Sequence, residues 1–201
     1  MENITSVVYI NLEKRQDRKE HMETQLREYG LNNFERFDAI ECKEMGIIGC
    51  TQSFIAVLEL ARDRQYRNIL VFEDDFQFTV PKEQFHEQID NIFAQKFEWD
   101  VMLLAYNPIK MDDAIGGYTR LLEAQAGSAF IVQQHYFDKL IATWKEGLSK
   151  LISTRAHWLY ANDQYWKSLQ LIDNWYGLTN KLGKQMAGFS DNTLTYVDYG
   201  C

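Results

Sequence analysis

The sequence predicts a single α/β domain built on a mainly parallel sheet, and three observations carry that prediction. Short apolar runs alternate with stretches whose apolar residues recur at helical spacing. The runs at 7–10, 69–72 and 101–105 are continuous rather than alternating, as in strands covered on both faces. At 201 residues the chain is long enough for one core, and no linker, repeat or low-complexity tract divides it, so 1–201 is read as one domain.

Composition narrows the function. With 46% apolar and 25% charged residues the chain has an ordinary soluble balance. A net charge of -8 argues against nucleic acid as a partner, although a nucleotide can still bind locally through a few arginines and a metal. The first residues lack a basic stretch followed by an apolar one, and no run is long enough for a bilayer. The expectation is a cytoplasmic protein without signal or transmembrane segment. Three cysteines, Cys42, Cys50 and Cys201, imply neither a disulfide framework nor a zinc knuckle.

Taken in order, residues 7–10 form a first buried strand. The polar turn from Asn11 to Arg18 then opens a helix with Met22, Leu26 and Tyr29 on one face, stopping at Gly30. Arg15 and Arg18 share a face at its start, where a phosphate would also meet free backbone N–H groups; equally, both can be solvated surface arginines. Residues 34–40 alternate well enough for a second strand. Asp38, near its end, can accept a hydrogen bond from a ribose or base, or cap a turn. Residues 46–53 read as a turn leading into a helix striped by Phe54, Val57, Leu58 and Ala61, with Ser53 as a cap or facing a ligand. After a third strand, Pro81 opens a helix carrying Phe85, Ile89, Ile92 and Phe93. Residues 101–105 are a further strand, 111–119 a loop and potential lid with Asp112, Asp113 and Gly116-Gly117, and 127–132 another strand. A helix with Phe137, Leu140, Ile141 and Trp144 follows. Residues 155–166 then gather aromatics around Asp163, which either serves as a base beside a sugar-binding surface or caps a helix starting at Gln164. The tail at 185–192 is a polar turn whose Asp191 can close over a site.

The chemistry concentrates at 69–75, where Ile69-Leu70-Val71-Phe72 runs into Glu73-Asp74-Asp75. Open α/β sheets place ligands at the carboxyl ends of their strands. Three adjacent carboxylates raise one another's pKa unless a cation is bound, so a divalent metal is expected there. The alternative is that Asp74 and Asp75 cap a following helix.

As an ordered set, residues 7–12 with Arg15 and Arg18, Gly49-Cys50 with Ser53, Glu73-Asp74-Asp75, and Gln185 with Ser190-Asp191 resemble glycosyltransferase family 25. That family includes lipooligosaccharide and collagen hydroxylysine galactosyltransferases. The resemblance implies a GT-A fold, which is Rossmann-related and binds a nucleotide sugar. It also implies a UDP-sugar donor, usually UDP-galactose, inversion at the anomeric carbon, Mn2+ or Mg2+ as cofactor, and a glycan or protein acceptor. Asn11, Arg15 and Arg18 would lie by the nucleotide, with Asp38 and Ser53 also on the donor side. Glu73, Asp74 and Asp75 would stand in the DxD-like position, Asp75 on the metal and Asp74 on the ribose or a metal-bound water. Asp163 would take the acceptor's proton, and Gln185 and Asp191 would touch donor or acceptor. Two positions depart from the family: Phe54 stands where a histidine is usual, and Ile47-Ile48 where a glutamate precedes the glycine. Two other readings of the same residues are a nucleotide-sugar-binding module without turnover and a Mg2+-dependent phosphotransferase.

Overall fold

The computed structural model describes residues 2–193, 195–198 and 200. The continuous apolar runs become central strands. β1 (Ser6–Asn11) lies between β2 (Phe34–Asp38) and β3 (Asn68–Glu73), parallel to both. β3 pairs antiparallel with β6 (Tyr118–Gln133), β6 antiparallel with β5 (Val101–Met111), and β5 parallel with β7 (Trp175–Leu178), giving the order β2-β1-β3-β6-β5-β7. Five of the six strands therefore run one way and β6 alone reverses. It reverses because a short hairpin joins it to β5, a connection available only to antiparallel neighbours.

Helices cover both faces, and strand alternation decides which residue meets which layer. Tyr9, Leu70, Phe72 and Met102 pack with α1 (Gln16–Glu28) and α3 (Lys82–Phe93) through Met22, Leu26, Phe85 and Ile89. Val8, Ile10, Ile69 and Val71 pack with α2 (Gly46–Asp63) and α4 (Phe137–Thr154) through Phe54, Leu58, Leu140 and Trp144. Three one-turn helices, α5 (His157–Tyr160), α6 (Asn162–Tyr165) and α7 (Lys167–Gln170), extend this second layer. They are tied in by two indoles: Trp144 donates to the Asn162 carbonyl at 3.0 Å and Trp166 to the Ala124 carbonyl at 2.9 Å. Two small sheets finish the fold, β4 (Phe76–Phe78) with β8 (Gly183–Gln185), and β9 (Gly188–Ser190) with β10 (Thr195–Val197).

Four local expectations change. Residues 46–53 are the first two turns of α2 rather than a turn before it. They lie so close to the preceding segment that a Cβ on Gly49 would stand 2.1 Å from the Ile40 carbonyl oxygen. Residues 111–119 are the end of a hairpin, loop only between Met111 and Tyr118. β5 runs to Met111, β6 starts at Tyr118, and Gly116 and Gly117, at φ 60° and 89°, make the hairpin turn. The acidic tip is followed by strand β4, so Asp74 and Asp75 cap no helix. The helix expected from Gln164 begins at Asn162, and Asp163 does not cap it. Among the described residues no helix is long and apolar enough to cross a membrane. Cys42 and Cys50 are free thiols, and Cys201 lies outside the described residues.

Candidate functional site

Because β1 and β3 are parallel neighbours, with Ile10 opposite Glu73, their carboxyl ends deliver Asn11 and the acidic triplet to one edge of the sheet. A cleft of about 520 Å3 opens there. Its walls are Ile10, Leu12, Lys14 and Arg18 around the β1–α1 turn, residues 39–46 leading into α2, Cys50, Ser53 and Phe54 of α2, the acidic triplet, and residues 185 and 190–192 of the tail.

Alternation along β3 turns Glu73 toward the α2 layer, the side of Ile69 and Val71. It is half-buried in the cleft wall, and its carboxyl makes no hydrogen bond among the described residues. Burial, then the charges of Asp75, Asp74 and Asp163, push Glu73 well above the usual carboxylate range. Asp74 and Asp75 are buried and share one cation: Arg18 Nη1 lies 2.8 Å from Asp74 Oδ1 and 2.8 Å from Asp75 Oδ2. Asn11 Nδ2 donates to Asp74 Oδ2 at 2.8 Å, and Gln185 Nε2 to Asp75 Oδ2 at 3.1 Å. Burial and Asp75 still hold Asp74 above its ordinary value, against the pull of Arg18 and Asn11. Among the described residues Asp75 Oδ1 and Arg18 Nε are buried and without a partner.

The basic residues meet carboxylates of the chain itself. Arg15 donates to Asp17 and, through Nη1, to Asp191 Oδ2 at 2.6 Å; Lys14 Nζ lies 3.1 Å from Asp191 Oδ1 and 2.7 Å from Glu41. Burial works against the charge on Asp191, but Arg15 and Lys14 outweigh it and the carboxyl sits below its ordinary value.

Three residues expected at the site have other partners. Asp38 is exposed, pairs with Arg36 and lies outside the cleft walls. Ser53 lines the cleft but also staples α2 to the preceding segment, donating to the Gly49 carbonyl at 2.7 Å and accepting the Ile40 N–H at 2.8 Å. Asp163 is half-buried and accepts the Ala126 N–H at 3.1 Å, where Ala126 takes a left-handed φ of 52°. It is not part of the cleft wall, yet its charge acts on both Glu73 and Cys50. Phe54, where the resemblance would have a histidine, is core, its ring packed at a tilt against Phe130 and Trp144. Lys14, Glu41 and Asn192 enter the site without having been singled out; only Lys14, beside Arg15 in a polar turn, carries a signal in the sequence.

Oxygen-only donors suit Mg2+ or Mn2+. Among the described residues no three His, Cys, Asp or Glu side chains converge as a metal cage. Arg18 takes one oxygen from each aspartate. The orphaned Asp75 Oδ1 and the unbonded Glu73 carboxyl remain, and one or two carboxylates are what a protein supplies where substrate phosphates complete the shell. The residues therefore fit a cation bound together with a diphosphate.

No family model matches the sequence, and no curated protein is detectably similar to it. Among solved structures, the chain superposes on a glycosyltransferase involved in the glycosylation of the major capsid of PBCV-1 with a TM-score of 0.59, at 10% identity over 93% of this chain and 94% of that one. It superposes on A197 from STIV with a TM-score of 0.48, at 11% identity over 88% and 82% of the two chains. For UDP-glucose pyrophosphorylase, solved with UDP-glucose, the TM-score is 0.48 at 8% identity over 90% and 74%. The last two are too loose to carry an argument. The first speaks for the fold, which is of the GT-A type.

Proposed function

We propose that the chain is a UDP-sugar-dependent hexosyltransferase of the family 25 kind, moving galactose with inversion to a hydroxyl of a glycan or protein. The observation that supports this reading is the meeting, at the carboxyl ends of β1 and β3, of an acidic triplet with Lys14 and Arg18 around one cleft, with Arg15 tied to its wall through Asp191. Such a pairing matches a ligand that combines a diphosphate with its counter-ion. Arg15 and Lys14 would hold the diphosphate, while Asn11 fixes Asp74 and Gln185 fixes Asp75. Asp75, through its free Oδ1, and Glu73 would hold Mn2+ or Mg2+, whose positive charge would offset the negative charge growing on the departing UDP. Asp163 Oδ2 holds the Ala126 N–H, leaving Oδ1 to take the acceptor's proton as its hydroxyl attacks.

Incubation with UDP-galactose, Mn2+ and a hydroxyl acceptor tests the reading. Asp75→Ala is expected to cut turnover on the order of a hundredfold or more, since Lewis-acid stabilisation is worth several kcal/mol; undiminished activity would remove the metal from the scheme. Asp163→Asn is expected to lower kcat with KM for the donor unchanged. The position of Arg18 across Asp74 and Asp75 favours a second reading, a nucleotide-sugar-binding module without turnover. Metal-assisted UDP binding with no transfer to any acceptor would select it.

A further inference from the structure

Asp191 is a carboxylate held between two cations. Its two oxygens bridge Lys14 and Arg15, at 3.1 and 2.6 Å, both cations contributed by the turn that opens α1. The neighbouring Phe189 carbonyl accepts from Arg15 Nη1 at 3.2 Å and from Arg18 Nη2 at 3.0 Å. On the opposite side of the cleft, Asn192 lies against the first residue of α2: a Cβ on Gly46 would meet Asn192 Oδ1 at 2.7 Å and the Asp191 carbonyl at 2.8 Å. Residues 189–192 thus span the cleft from the start of one helix to the start of the other.

This strap is held by charge and hydrogen bonds, not by apolar burial. Among the described residues neither hydrophobic cluster takes one beyond Leu182, and Phe189 is exposed. Ion pairs of this kind exchange readily for a stronger anion, and a diphosphate carries more charge and more acceptor oxygens than one carboxylate.

Resting on the reading of the cleft as a nucleotide diphosphate site, we infer that residues 189–192 are a built-in competitor, an internal anion that occupies Lys14 and Arg15 in the ligand-free chain and is displaced when a nucleotide diphosphate binds. A site that must first shed its own anion shows an affinity reduced by the fraction of time it is open. Removing the competing charge therefore raises affinity, whereas removing a residue that touches the ligand lowers it.

The test is calorimetry of the full chain with UDP, and separately with inorganic pyrophosphate, for wild type, Asp191→Asn and Asp191→Ala. Amide hydrogen exchange of residues 188–192 is followed in parallel, and circular dichroism confirms the fold. The expected result is binding of both probes about three- to tenfold tighter in the variants. Exchange at 188–192 should be faster in the variants without ligand, and faster in wild type on adding UDP. Gly46→Ala, which crowds the strap off without changing its charge, is expected to speed the same amides. Unchanged or weaker binding by the variants overturns the inference and leaves the donor reading standing. Binding of neither probe to any form overturns both.

Discussion

Arg18 decides the state of the acidic tip. One guanidinium nitrogen serves two buried aspartates whose nearest alternative is mutual repulsion. Breaking a buried ion pair from one side leaves an uncompensated charge and costs about 3–5 kcal/mol. Arg18→Met is therefore expected to lower Tm by roughly 2–4 °C per kcal/mol in metal-free buffer. Added Mn2+ should restore more of that loss than it adds to wild type, because the variant frees the acidic tip from its competing cation; equal metal effects on the two proteins would count against a cation site at Glu73 and Asp75. None of this is written in the triplet alone. The order Glu-Asp-Asp announces a charge problem, and only the fold shows that a residue 56 positions away answers part of it.

At the scale of elements, α2 and the tail set the cleft's shape. Gly49 permits the first turn of α2 to pass against Ile40, so Gly49→Ala drives a methyl into the Ile40 backbone carbonyl and is expected to cost about 1–3 kcal/mol, read as a fall in Tm. The sequence marked that glycine and the cysteine after it but assigned them to a turn. Its regular apolar stripe starts at Phe54, with Ile48 already buried ahead of it, and tertiary contacts at Gly49 and Ser53 hold the first two turns against the preceding segment. The tail offers a pH test. Asp191 ionises below its unfolded value of about 3.9, so its contribution is complete above that pH and is lost as pH falls through the folded value. The extra protection of residues 188–192 in wild type over Asp191→Asn, corrected for intrinsic exchange, should be full at pH 6 and vanish in strong acid. A gap that persists in acid would exclude the carboxylate as the anchor.

For the whole molecule, ligand binding and folding share one free energy. UDP at a hundred times its Kd is expected to add about 2.7 kcal/mol, or roughly 5–10 °C at 2–4 °C per kcal/mol, to the unfolding of the entire chain. Trp144→Ala, which removes the indole joining α4 to α6 through Asn162, is expected to cost about 3–5 kcal/mol although it lies outside the cleft walls. The alternation of buried strands and amphipathic helices, the acidic strand end and the cations at the start of α1 are all determined by the order of residues, because apolar periodicity and local charge are properties of neighbouring positions. The reversal of β6 follows from its short hairpin with β5, but the seat of Arg18 between two aspartates, the tie between Asp163 and Ala126, and the bridge from Asp191 to Lys14 and Arg15 are decided only by tertiary structure. Each of these three joins groups 37 to 177 positions apart, and no local pattern in the chain specifies which distant charge will arrive beside which.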